Sequence, residues 1–187
     1  MQTFLPYADY AASAATLDQK RLGKQRVEAY QALLQLCSIK MVDFPEWEPR
    51  FGGWSHPAMA MWSGHEVELL KYIEACCNEW TSRGSKDTVL EKSTHTLELA
   101  REKDWSVEPP HWMGDPEVHR SHRSNLVRKD PEHYGPLFPD DGPELEYIWP
   151  STEFPMKERK IYNFNRMTEL KETERFDRNE ELPSEAL

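Results

Sequence analysis

Apolar residues over the first 130 or so positions recur mostly at a spacing near 3.6, and alternating apolar–polar runs are few and short. The pattern therefore predicts helices rather than sheet. A first helix is expected from about Ala14 to Ser38, where Leu22, Val27, Tyr30, Leu33, Leu34 and Cys37 fall on one broad side. The stretch from Phe44 to Trp54, rich in Pro, Gly and Trp, reads as a connection. A second helix is expected to open at Ser55-His56-Pro57, with Pro57 in the first turn, where its missing N–H costs little. It continues through Trp62, Leu69, Leu70, Ile73, Cys76, Cys77 and Trp80 and stops at Arg83-Gly84, a C-terminal glycine signature. A weaker helix over Asp87 to Arg101 carries Val89, Leu90, Leu97 and Leu99. Asp115, ahead of Pro116, is placed to cap a last helix that ends near Asp130-Pro131.

Residues 131–150 are rich in Pro and Gly and read as an ordered loop pinned by Tyr134, Phe138, Tyr147 and Trp149. From Ser151 the charges mix densely and the apolar spacing weakens, which predicts a tail that is helical in part at most. The expected fold is all-α. Residues 1–150 form a compact single helical domain of three to four main helices with long ordered loops. Residues 151–187 form a charged C-terminal extension, ordered in part at most, and no internal repeat is visible.

Composition narrows the class. The 187 residues are 38% hydrophobic and 30% charged, with seven each of Trp, Tyr and Phe, which is enough aromatic mass to exclude a disordered chain. Mean hydropathy is −0.82, and no apolar run approaches the roughly 18–20 residues of a membrane span. Met1 to Tyr10 lack both the basic and the apolar region of a secretory signal, so a cytoplasmic protein is expected. Cys37, Cys76 and Cys77 form no CxxC pair and read as reduced core thiols, not a zinc ribbon or disulfide scaffold.

The chain contains no Walker A, GxGxxG or GxSxG motif, and His65-Glu66-Val67-Glu68 is not HExxH. His119-x-x-His122 lacks a third metal ligand at helical spacing, so neither a metal nor a cofactor is expected. The net charge of −10 argues against a nucleic-acid binder, but its distribution argues the other way. Residues 18–28 and 119–129 hold Lys20, Arg21, Lys24, Arg26, Arg120, Arg123, Arg128 and Lys129 against only Asp18 and Glu28. Such clusters make a local positive surface on an acidic protein.

Two helical faces are candidates for chemistry. Lys24, Gln25 and Glu28 fall within about 60° of Arg21 on the wheel, opposite the apolar stripe. They read either as a solvated face with a Lys24–Glu28 pair or as cations that hold phosphates beside a working carboxylate. On the last helix His119, His122 and Arg123 share a side with Leu126. That face is either a cleft wall against a nucleic-acid backbone or a set of satisfied polar groups at a packing seam. His56, at a helix start, reads as a cap packed beneath Trp54 or as a positioning residue.

Three blocks in order carry a resemblance. They are Leu17-Asp18-Gln19 through Arg26-Val27-Glu28; His56 through Glu79-Trp80 to Arg83-Gly84, with Lys86-Asp87-Thr88 after it; and Gly114-Asp115 through His119 to Tyr134-Gly135. Over roughly residues 1–138 the chain resembles the pyrimidine-dimer DNA glycosylase/AP lyase family of the phage endonuclease V type.

The resemblance implies a mostly helical monomer that bends double-stranded DNA and flips out a nucleotide with a damaged or modified pyrimidine, such as a cyclobutane dimer. In that family the N-terminal amine attacks the sugar C1′, a Schiff base forms, the base leaves, and β-elimination cuts the strand. A glutamate on the first long helix assists; Glu28 matches it with one residue of gap. An α-amine suits the role, being roughly a tenth or more unprotonated at pH 7, against about one in a few thousand for a lysine. Family members expose a small residue's amine after methionine removal, whereas Gln2 stands second here, so the nucleophile is expected to be the amine of Met1. Arg21, Lys24, Gln25 and Arg26 are then expected at the DNA backbone. His56 is expected beside the DNA, with His119, Arg120, His122 and Arg123 as the far wall. Two further readings use the same fold: a non-catalytic DNA-binding or interaction module, and a DNA-modifying enzyme acting on an unusual pyrimidine.

Overall fold

Asp9 accepts the Ala12 N–H at 2.7 Å and so starts α1 (Tyr10–Thr16), which ends where Leu17 turns extended at φ −72°, ψ 137°. Asp18 then caps α2 (Gln19–Lys40) by taking the Arg21 N–H at 3.0 Å. The single helix expected from Ala14 is therefore two, because an extended Leu17 and a capping Asp18 interrupt the 3.6 pattern. This computed structural model describes residues 2–40, 56–99, 107–150, 160–163 and 168–171. The Phe44–Trp54 connection lies outside them.

The second expected helix is also divided. His56 and Pro57 open only a short α3 (Pro57–Ala60), and the chain re-enters helix as α4 (Glu66–Ser82) after a turn in which Gly64 has φ 87°. Gly84, at φ 83°, ends α4 as its spacing predicts. The Asp87 carboxylate takes the Val89 and Leu90 N–H groups at 3.0 and 2.9 Å and starts α5 (Val89–Leu99). Asp115 caps α6 (Pro116–Lys129) and Asp130 caps the short α7 (Pro131–Tyr134), both with Pro in the first turn.

The described domain is all-α. Helices α2 and α4 pack together, α1 lies on α4, and α5 touches both α2 and α4. Their shared core holds Leu22, Leu33, Leu36, Trp62, Leu69, Tyr72 and Ile73, each at most 1% exposed. Fully burying one such side chain is worth about 1.5–3 kcal/mol. Cys37, Cys76 and Cys77 are buried thiols, and burial raises the pKa of both Cys76 and Cys77 to about 12.

The buried face of α2 differs from the expected stripe. Val27 is 41% exposed, whereas Gln25, Arg26, Ala29 and Ala32 are buried beside Leu22, Leu33 and Leu36. Two small alanines let α2 approach its neighbours closely, and two polar residues enter the core because partners await them there. In residues 131–150, Tyr134 and Phe138 are buried, and Tyr147 stacks on Trp149 at 4.8 Å. The described part of the tail holds no helix. It is an antiparallel ribbon of β1 (Lys160–Asn163) and β2 (Thr168–Lys171), with Ile161 opposite Leu170 and Tyr162 opposite Glu169. Adjacent Ile161 and Tyr162 are strand-formers, and the segment has no apolar stripe to hold a helix.

Candidate active site

Residues 3–6 run as an extended strap between the α2–α4 pair and α6, with no neighbouring strand to take their backbone groups. Side chains take them instead. Gln25 Oε1 accepts the Phe4 N–H at 2.7 Å, and the Tyr72 hydroxyl sits 3.0 Å from the Phe4 carbonyl. His122 Nδ1 accepts the Leu5 N–H at 3.1 Å, and His119 Nδ1 meets the Leu5 carbonyl at 2.8 Å. Arg123 donates to the Pro6 carbonyl at 3.0 Å. Thr3 completes the anchorage by accepting the Trp62 indole N–H at 3.1 Å. The strap is thus fixed from three helices.

From Phe4 back to Gln2 the chain lines a cavity of about 270 Å³ together with Lys20, Arg21, Lys24, Gln25, Glu28 and Lys129. Glu28 has no ion-pair partner among the described residues. The Lys24–Glu28 pair of the solvated-face reading is not among the ion pairs of the described residues, and the exposed Lys20 and Lys24 also lack acidic partners there. Lys129 lies 6.0 Å from the Phe4 ring centroid.

Arg21 organises this rim. It pairs with Asp18 and, at 3.4 Å, with Asp130, and it donates to the Lys129 carbonyl at 3.1 Å while lying 5.2 Å over the Tyr134 ring. Burial pushes the Asp18 pKa up, but hydrogen bonds from Arg21 and Tyr134 outweigh it and pull the carboxyl down to about 2. Arg21 therefore ties the start of α2 to the end of α6, which brings Lys129 beside Lys20 and Lys24. The cavity combines one carboxylate, three lysines and Gln2.

Of the other predicted residues, Gln25 also lines the cavity and the rest go elsewhere, each for a physical reason. Arg26 pairs with Asp87 beneath the Trp80 ring, 4.2 Å from its centroid, and is 8% exposed, so its charge is spent inside the helix packing. Gln25 is 1% exposed and faces the strap, not solvent. His119 and His122, 5% and 0% exposed, hold Leu5 and form no outer wall. Arg123 is divided between Pro6 and Asp141, and the half-exposed Arg120 also reaches Asp141, at 3.3 Å.

Exposed His56 caps α3, its Nδ1 accepting the Ala58 N–H at 3.2 Å. Partial burial lowers its pKa, the positive N-terminus lowers it further, and the Glu28 carboxylate raises it, so His56 lies within electrostatic reach of that carboxylate. Met1 and Trp54 lie outside the described residues.

Four cavity residues, Gln2, Phe4, Lys20 and Lys129, are absent from the expected site. The two lysines belong to the basic stretches that the sequence displays, but nothing in the sequence joins them across more than a hundred positions. No signal marks Gln2 or Phe4.

Residues 1–92 match the protein-family model described as pyrimidine dimer DNA glycosylase. Over these residues the chain is similar to that family. The matched region spans the strap, α1 to α4 and the start of α5, so every cavity residue except Lys129 falls within it. No curated protein and no solved structure matches the chain. None of its described helices is long and apolar enough to cross a membrane. The family implies a DNA substrate and glycosylase chemistry.

Proposed function

We propose that this protein excises a damaged or modified pyrimidine from double-stranded DNA, with the amine of Met1 as nucleophile and Glu28 as the assisting carboxylate. The observation that carries the reading is the cavity in which Gln2 and Glu28 meet beneath Lys20, Lys24 and Lys129. A flipped nucleotide brings C1′ and two flanking phosphates to such a place. The lysines neutralise the phosphates, and none of them is paired with an acid among the described residues. The unprotonated amine adds to C1′ as the C1′–N bond to the base breaks, and Glu28 stabilises the positive charge that builds on the sugar. The amine's lone pair then expels O4′ to give the Schiff base, Glu28 relaying the proton that O4′ takes. Loss of a C2′ proton and departure of the 3′ phosphate complete the lyase half.

Arg21 serves this reading by holding the rim. His56, within electrostatic reach of Glu28, is assigned a part in positioning the DNA beside it. Borohydride reduction during reaction with an abasic or dimer-containing duplex tests the mechanism. A covalent protein–DNA adduct that needs a free N-terminus is expected, and Glu28→Gln is expected to bind duplex while losing turnover. No adduct, together with release of intact abasic product, would replace the amine by a Glu28-activated water. Unchanged biological effect in Glu28→Gln would make the chain a binding module.

A further inference from the structure

Gln25 stands three residues before Glu28 on α2, roughly 4.5 Å along one rigid axis. Its amide oxygen takes both the Phe4 N–H and the Tyr72 hydroxyl, each at 2.7 Å. Tyr72 also reaches the Phe4 carbonyl, so its one proton is shared between two acceptors and the Phe4 peptide is held at both its polar ends. Gln25 and Tyr72 are 1% and 0% exposed, in a region otherwise filled by Leu22, Trp62 and Leu69. A buried amide there needs a partner, and the partner it has is the backbone of the strap that leads into the cavity. Gln25 itself lines that cavity with Gln2, Phe4 and Glu28.

We propose that Gln25 is a positioning residue for the N-terminal nucleophile, fixing the strap to the same stretch of α2 that carries the carboxylate. This rests on the amine mechanism above. The chain enters the cavity from Phe4 through Thr3 and Gln2, so loosening Phe4 frees the segment that leads to the amine, while Glu28 stays fixed on α2. A misplacement near 1 Å costs about 100-fold in an intramolecular attack. Duplex affinity depends on the lysines, which Gln25 does not touch.

Gln25→Met, of nearly the same length and shape, removes the acceptor. Single-turnover borohydride trapping on an abasic duplex is measured at saturating protein, with duplex affinity from anisotropy and melting temperature recorded for each variant. The expected result is trapping slowed about 100-fold at essentially parental affinity, with most of the rate recovered in Gln25→Glu, which retains the acceptor oxygen. If Gln25→Met does not fold, Gln25→Asn draws the same amide back by one methylene, and slowing at unchanged affinity is again expected. Parental trapping rates, or rate and affinity falling together, would overturn the proposal. A parent chain that forms no adduct overturns the amine mechanism itself; a trapping parent with unaffected Gln25 variants overturns only the positioning role.

Discussion

His119 and His122, one helical turn apart on α6, grip the two polar ends of one residue. His122 Nδ1 accepts the Leu5 N–H, while His119 Nδ1 meets the Leu5 carbonyl as its Nε2 accepts the Gly114 N–H. The two imidazoles are thus held as opposite neutral tautomers. His122 Nε2 is buried without a hydrogen-bond partner among the described residues, and the Tyr147 and Trp149 rings lie T-shaped to the imidazole at 5.4 and 5.1 Å.

This arrangement makes stability fall in acid. Burial first, then the neighbouring His119, lowers the His122 pKa from 6.5 to about 3. The unfolded chain therefore binds a proton below about pH 6.5 that the folded chain refuses until about pH 3, and stability drops as pH falls through that interval. Asp18, pulled down to about 2, removes further stability as pH falls below its ordinary 3.8. The melting temperature is expected to decline steadily from pH 7 to pH 4. His122→Asn, which offers an oxygen in place of Nδ1, should show a shallower decline; an equal slope would show that another group titrates.

Arg26 and Asp87 form a buried pair whose side chains are 10% and 8% exposed. Removing one partner strands the other, so Arg26→Leu is expected to cost about 3–5 kcal/mol in urea unfolding, and the double change with Asp87→Leu distinctly less than the sum. Duplex affinity of whatever fraction folds should keep its salt dependence. A flatter salt slope in Arg26→Leu would put this residue at the DNA.

Gly23 lets Trp80 lie against α2: a Cβ there would meet the ring at 3.1 and 3.2 Å. The ring has little room to yield, being stacked on Arg26 and bonded through its indole N–H to the Lys86 carbonyl at 3.0 Å. Gly23→Ala is therefore expected to destabilise by about 1 kcal/mol, the crowding outweighing the helical gain of alanine. Added stability on thermal melting would mean the ring gives way freely.

Lys20, Lys24 and Lys129 act on phosphate in the proposed mechanism. Each phosphate contact contributes about 0.9 to the slope of log affinity against log salt. Replacing all three by Ala should weaken duplex binding and flatten that slope by nearly 3, whereas Glu28→Gln should leave it unchanged. A slope insensitive to the three lysines would move the DNA to another face.

Local physics made much of this protein readable from its residues. The 3.6 spacing announced an all-α domain, and Asp115-Pro116, Gly84 and His56-Pro57 marked helix ends, because capping and φ preferences act within a few residues. Glu28 and the basic stretches could be picked out because charge is a property of single residues. What that charge touches is not. The Arg26 guanidinium turned inward because Asp87 and Trp80, some sixty positions away, offer a pair and a ring. His119, His122 and Arg123 became holders of the strap because Leu5 and Pro6 come to lie against α6. The breaks at Leu17 and Gly64, the inward face of Gln25 and the meeting of Lys129 with Lys20 all depend on which backbone group needs a partner once distant segments pack. Only the assembled tertiary structure decides that, since burial fixes which polar groups must be satisfied and by whom.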